Sequence, residues 1–456
     1  MNPKAGISKQ YVRLLILLVL GLFVFSCAPS VKHYVKINQC LQRGDYDSSL
    51  KLIEKNKEAY SECDAALYYV EEGIIAHFAG FYEKSNECLA MAESIMDKLY
   101  TESVSSNVAS FIINDNTIPY RGEDFERVMV NLFMALNYAF MGLREDALVE
   151  ARKVDNKLNI INSQYDEDEK NVYKEDAFIR FMMGVLYELE GEINDAFISY
   201  RNAAEIYRDD YSHHYGINPP PFLIADMLDM AEMLDFREEA TKIKRQYPDI
   251  TFPDLEKRDG LAEVFFVHYN GRGPEKVERS WNVPMPDGYV MKVAYPAFRE
   301  NNYRISRGEV TLRNPGSNAV FQFPTLLVED IGKIAITNLE NRLNGIKAKA
   351  IARATAKYLA TKTLSKETEK RHGSLAGSLV KLAGNIASVV TEQADIRHWR
   401  LLPDEIRIGR ALVPPGDYQG EITFVNSNGN VILARKIELF TVRSGEMKFF
   451  TQRTLD

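Results

Sequence analysis

The chain has 456 residues, 46% hydrophobic and 26% charged, an ordinary globular composition that excludes extended disorder. Its 56 basic and 64 acidic side chains give a net charge of −8, which offers nucleic acid no electrostatic footprint. Four cysteines are too few for a disulfide scaffold or a cysteine-built zinc site.

Lys4, Lys9 and Arg13 precede an apolar stretch from Leu14 to Phe25. At about a dozen residues it is shorter than the ~20 a free-standing span needs, and with its basic flank it predicts a secretory signal peptide. Val24-Phe25-Ser26-Cys27 reads as a bacterial lipobox, although Phe25 stands where a small or branched residue is usual. Residues 1–26 are therefore expected to be a lipoprotein signal peptide and Cys27 the lipid attachment site, carrying palmitate-type acyl chains. Ala28 in place of an aspartate favours the periplasmic leaflet of an outer membrane. Removal of residues 1–26 takes away three positive charges and moves the net charge from −8 to about −11.

Residues 27–250 repeat. Gly184, Tyr187, Gly191, Ala196, Tyr200 and Ala203 fall at the small and aromatic positions of a tetratricopeptide (TPR) unit. Ala135, Tyr138, Gly142, Ala147 and Ala151 fit one unit earlier, and Gly73, Ala76, Gly80, Tyr82, Leu89 and Ala92 fit again. Weaker copies surround Gly44 with Ser49, and Ala231 with Ala240. Small residues let the two helices of a hairpin approach, an aromatic fills the gap beside them, and glycine reverses the chain. One hairpin cannot bury its apolar face alone, so the spacing predicts a stacked α-solenoid.

Two insertions break the register, of about 28 and about 15 residues, and such insertions become loops, often on a binding face. The first includes Tyr120 and Arg121 and leads into a helix that Glu126 and Arg127 open and whose face carries Asn131 beside Phe133; these five residues are the candidate protein-binding site. A glutamate at a helix start also complements the macrodipole, which is the plainer explanation. The second holds Asp166-Glu167-Asp168-Glu169, read as a solvated loop because no glycine turn or EF-hand spacing accompanies it. Cys40, Cys63 and Cys88 are read as buried small hydrophobes, with a Cys40–Cys63 disulfide as the alternative.

Past Pro253 the period changes to two. Strands are predicted at 264–269, 290–295, 309–312, 406–413, 418–425, 431–442 and 447–452, with turns at 414–417 and 426–430. The fold class is thus α + β multidomain: a TPR-like α-solenoid, then an antiparallel β-sandwich-like domain in two parts, 251–330 and 395–456. A helical insert at 331–394 separates those parts, with helices over 331–362 and 374–390. The second is apolar, and Gly377, Gly384 and Ala387 give it a small-residue face. It is expected to be a buried hairpin, Lys381 making a spanning role costly.

Two punctuated motifs flank the insert. Asn270, with Gly271 and Gly273, leads to Lys276. That pair of glycines lacks the third glycine and the following helix of a nucleotide loop. Asp395, Arg397 and Trp399 read as a structural or ligand junction, Trp399 wedged between insert and sheet while the ion pair fixes the turn. The Tyr-x-Gly-x-x-x-Glu-Arg run at 120–127, the Asn-Gly-x-Gly-Pro stretch at 270–274 and the run at 392–403 occur together. In this the chain resembles a functionally uncharacterised family of TPR-containing bacterial outer-membrane lipoproteins. The resemblance implies fold and location and brings no activity or catalytic residues.

The search for chemistry is otherwise empty: no Gly-x-Ser-x-Gly elbow, no His-Glu-x-x-His, no P-loop and no CxxC pair, so no catalytic residue, metal or cofactor is expected. His213 and His214 are adjacent and diverge on a regular element. The expected function is a non-enzymatic, lipid-anchored periplasmic scaffold whose solenoid binds envelope proteins through its inner face. Cell-wall synthesis or assembly machinery are partners by analogy of architecture. The alternative is a peptidoglycan- or glycan-binding lipoprotein that stacks sugars on Trp281, Trp399 and tyrosines of the β domain.

Overall fold

The computed structural model describes residues 32–105, 118–163, 172–250 and 260–456. The expected signal peptide, Cys27 and the acidic run at 166–169 lie outside the described residues.

Ten helices form five consecutive hairpins. They pair α1 (Lys32–Gln42) with α2 (Tyr46–Lys55), α3 (Ala65–Phe78) with α4 (Tyr82–Ser105) and α5 (Asp124–Phe140) with α6 (Arg144–Ser163). The last two hairpins are α7 (Ala177–Glu190) with α8 (Ile193–Ile206) and α9 (Pro221–Met233) with α10 (Arg237–Gln246). Each reverses through one residue at positive φ: Gly44, Gly80, Gly142 and Gly191, between 72° and 80°, and Asp235 at 55°. The hydrogen bonds repeat with them, Gly80 N–H to His77 O (3.0 Å) with Phe81 N–H to Ala76 O (2.9 Å), and Gly191 N–H to Glu188 O (3.0 Å) with Glu192 N–H to Tyr187 O (2.9 Å). This pattern satisfies the last carbonyls of each first helix and turns the chain by the left-handed residue that glycine adopts at least cost.

Inside the hairpins the small positions do what their spacing requires. A Cβ on Gly184 would overlap the ring of Tyr200, and one on Gly73 would lie 2.9 Å from Leu89. Ala147, Ala151, Ala196 and Ala203 are fully buried at the facing positions.

Ten strands follow. β1 (Ala262–Asn270) lies between β10 (Met447–Arg453) and β7 (Glu405–Val413), and β7 also pairs with β6 (Leu326–Asp330). A second sheet has the order β5 (Val320–Pro324), β4 (Arg307–Arg313), β8 (Gly416–Val425) and β9 (Val431–Val442). β2 (Glu275–Pro284) and β3 (Val290–Arg299) form a separate ribbon. β10 runs parallel to β1, which departs from the wholly antiparallel expectation. Three strands went unread in the sequence: β2 is polar and largely exposed, and β5 and β6 are five residues each, too short to show a period.

β1 is buried along its whole length because both of its faces are covered. Ala262, Val264 and Phe266 meet Val310, Leu312, Ile422 and Phe424 of the second sheet. Phe265, Val267 and Tyr269 belong instead to the core that runs through the solenoid.

The insert comprises α11 (Ile331–Asn341), α12 (Leu343–His372) and α13 (Ser374–Thr391), with a break at Arg342 where one continuous helix was expected. α12 and α13 form a hairpin resting on β3. The expected burial of α13 is overturned: only Gly377 and Ser388 are buried in it. Gly184→Val should destabilise the fold by about 1–3 kcal/mol through overpacking against Tyr200, read as a lower urea midpoint at unchanged slope.

Candidate functional site

The first helices of the hairpins meet the β part, and the two sequence motifs converge there. The capping box of α5 places Glu126 at the third helical position, its Oε2 accepting the Glu123 N–H (2.9 Å). Tyr120 O–H donates to the same carboxylate oxygen, and Glu126 Oε1 accepts the backbone N–H of Trp399 (2.6 Å). One turn into the chain-reversing segment, Arg400 N–H donates to Glu71 Oε1 on α3 (2.9 Å). Residues 394–403 carry no regular structure, so their buried N–H groups find acceptors only in such side chains.

Ion pairs frame this contact. Arg397 joins Asp395 (2.7 Å) to Asp64 at the foot of α3 (3.2 Å) and lies over the ring of Tyr120, centroid distance 5.3 Å. Lys276 on β2 pairs with Glu123, and Arg342 pairs with Glu123 (2.8 Å) and Asp124 (3.2 Å). The indole of Trp399 packs on Phe133 of α5 at 6.0 Å, so it is wedged against the solenoid rather than between insert and sheet. Asn270 stays within the β part, donating to Ile305 O (2.9 Å) and accepting from Thr454 Oγ1 (2.9 Å).

Further along, sequence reasoning missed several partners. His77 Nδ1–H donates to Asn137 Oδ1 (2.6 Å) while Tyr269 O–H donates to His77 Nε2 (2.7 Å), a tautomer fixed by the amide oxygen. Burial pushes this imidazole down to about 4, so it is neutral. Tyr207 O–H donates to Val328 O (2.8 Å), and Arg410 is buried between Asp226 of α9 and Glu263 of β1. The one hint in the sequence was Glu71-Glu72 and His77 inside an otherwise apolar helix.

Of the five predicted protein-binding residues, Tyr120 and Glu126 are therefore committed to this internal contact, while Arg121 is exposed. Arg127 and Asn131 point the other way. With Glu93, Asp97 and Tyr100 of α4 and Lys153 and Lys157 of α6, Arg127 lines a groove of about 560 Å³. Lys157 bridges Glu93 (2.8 Å) and Asp97 (3.4 Å), and Lys153 pairs with Glu150 (2.9 Å). Asn131 donates to Glu93 (2.8 Å) and Glu150 (2.7 Å). Arg127 stacks on Tyr100 at 3.7 Å and gives one nitrogen to Asp97 (2.9 Å), while its Nε and Nη1 are buried. The i, i+4 spacing of Glu93 with Asp97 and of Lys153 with Lys157 was legible in the sequence; their meeting across two helices was not.

No group of His, Cys, Asp and Glu among the described residues is placed to hold a metal. No disulfide joins Cys40, Cys63 and Cys88 among the described residues, and burial pushes the Cys88 thiol up to about 12.

No protein-family model matches the chain, and no curated protein matches its sequence. Among solved structures it is similar to MamA (13% identity, TM-score 0.30, covering 47% of this chain and 92% of that one). It is also similar to a putative kinesin light chain from Podosopora anserina with TPR-like repeats (14%, 0.32, 48% and 93%). A third is the Rap conjugation gene regulator of plasmid pLS20 in complex with the Phr* peptide (14%, 0.28, 55% and 59%). The repeat assignment rests on the five hairpins themselves.

Burial, with repulsion from Glu123, pushes Glu126 up to about 7, and burial pushes Glu71 up to about 8. Both carboxyls thus bind a proton in the folded chain that the unfolded chain releases near 4.5. Burial would raise Glu123 too, but Lys276 and Arg342 overcome it and hold it low, so its contribution is lost only in acid. Stability to urea should fall by a few kcal/mol as pH rises from about 4.5 to about 8, because the unfolded state binds fewer protons across that window. Glu126→Gln and Glu71→Gln, which remove the titrating group and keep one acceptor oxygen each, should each flatten that slope; a slope unchanged in both variants would contradict the assignment.

Proposed function

We propose that the chain is a non-enzymatic scaffold of the bacterial cell envelope, held by a lipid on Cys27 at the outer membrane facing the periplasm. It would bind an envelope protein through the groove between α4 and α6. The observation that carries this reading is the groove itself, about 560 Å³ between α4 and α6, with Arg127, Lys153 and Lys157 in its lining. Lys153, whose side chain is 42% exposed at the rim, with Arg127 and Lys157 behind it, favours a carboxylate-bearing segment of a partner. The inner face expected to do the binding is covered by the chain's own sheet, which leaves the second helices and this groove for a partner. Cell-wall synthesis and envelope assembly proteins are partners of the right location.

The alternative, a glycan-binding β part, retains one observation. Trp281 is 36% exposed with Tyr295 beside it at 5.4 Å, whereas Trp399 is 3% exposed and closed to a sugar.

Crosslinking in native cells, followed by affinity capture of the full lipidated chain, tests both readings. One dominant partner should be recovered and reduced about tenfold, about 1.4 kcal/mol, by Lys153→Glu with Lys157→Glu, and left unchanged by Trp281→Ala. Retention on purified sacculi that Trp281→Ala abolishes would favour the glycan reading instead. Cys27→Ala should abolish acyl labelling of the chain and release it from the membrane fraction.

A further inference from the structure

The helical insert is built inside out. At the 100° per residue of an α-helix, the bulky residues Leu375, Leu379, Leu382, Ile386 and Val390 of α13 fall within an arc of about 80°. All five are exposed, between 47% and 68%. The face that the fold does bury lies opposite and is made of small residues: Gly377, whose Cβ would meet Glu369 and the Ser365 carbonyl, Gly384 against Thr361, and Ser388. In a water-soluble hairpin the bulky residues would face the partner helix and the small ones the solvent. Lys381 and Asn385 fix the orientation, donating to the carbonyls of Asp287 and Val290 and so tying one flank of α13 to the ribbon.

The charge of the same hairpin is opposite to that of the chain. Between residues 343 and 391 there are nine lysines and arginines against two glutamates, in a protein of net charge −8. Lys349, Lys366, Lys370 and Arg371 are exposed, the last three around the tip beside Leu375. An outward apolar stripe with basic residues at its side is the pattern of a helix that lies in a membrane interface, its leucines among the acyl chains and its cations at anionic headgroups.

We infer that α13 docks on a lipid surface bearing anionic headgroups, lying along it rather than crossing it. Its 18 residues, of mean hydropathy 1.3, reach about 27 Å, close to the ~30 Å of a hydrocarbon core. Crossing would also carry α12, packed against it along its length, and the cations of α12 into that core. A second copy of the chain fits less well, because two such hairpins would bring their excess positive charge together.

The test places an indole on the stripe. The full lipidated chain carrying Leu379→Trp is bound to vesicles of phosphatidylcholine and phosphatidylglycerol with brominated acyl chains, and its emission is compared with that of the unsubstituted chain. Leu439→Trp, at a more exposed site on β9, is the control. Added emission from L379W should be quenched at least twofold and that from L439W should not. Lys366→Glu with Lys370→Glu in the L379W background, or vesicles of phosphatidylcholine alone, should weaken the quenching. Unquenched L379W on chains that still float with the vesicles would overturn the inference while leaving the Cys27 tether standing. Quenching of L379W in a Cys27→Ala chain would uphold the inference independently of the tether. Protection of L379W only through a concentration-dependent dimer would assign the stripe to a second copy and overturn the lipid reading.

Discussion

Everything in this molecule turns on where the backbone N–H groups of residues 394–403 go. The segment is buried between solenoid and sheet without regular structure, so no neighbouring strand or helix supplies acceptors for it. Glu71 and Glu126, projecting from α3 and α5, accept from Arg400 and Trp399. A carboxyl in such a place loses its hydration and is tolerated only because several donors converge on it. Tyr120 and the N–H of Glu123 complete that set at Glu126. The ion pairs of Arg397, Lys276 and Arg342 close around it, and the apolar residues Trp399, Phe133 and Tyr269 fill the remaining space.

That contact decides which surfaces remain for function. A stacked helical array offers an extended inner face as its usual docking surface. Here the first helices and the turn that follows α8 spend that face on the chain's own β part, through His77 with Tyr269, Tyr207 with Val328 and Asp226 with Arg410. The solenoid and the sheet are thereby one body sharing a continuous apolar core. The flank formed by α4 and α6 remains open, and Arg127 lines its groove. The polar helix start at residues 126–127 serves both sides at once: Glu126 looks into the junction and Arg127 into the groove. Successive residues on a helix point about 100° apart, so one short motif can do both.

The insert obeys a different constraint. Its helices are held to the β2–β3 ribbon by polar bonds and by a small apolar cluster of Val293 with Ala350 and Ala354, and small residues lie between α12 and α13, which leaves the leucines of α13 exposed. Five such residues aligned on one face of one helix form a contiguous apolar surface, the kind that marks contact with another phase or another molecule.

The sequence by itself determined the hairpins, because their signals are local. Glycine at a left-handed turn, alanine at a close approach and tyrosine in the gap all act within about 30 residues, and the structure turns at Gly44, Gly80, Gly142 and Gly191 as expected, with Asp235 taking that place in the last hairpin. It determined most strands for the same reason, missing β2, β5 and β6, where polarity or shortness hides the period. The helical character of the insert was legible too, but not the direction in which its leucines face, since periodicity locates a stripe and says nothing of what covers it. Only the tertiary structure decided that Tyr120 and Glu126 look inward. Only it decided that Trp399 packs on α5 and that Glu93 and Asp97 meet Lys153 and Lys157 across two helices. These pairings join residues tens to hundreds of positions apart, and no local pattern carries the information about which acceptor a distant buried donor will find.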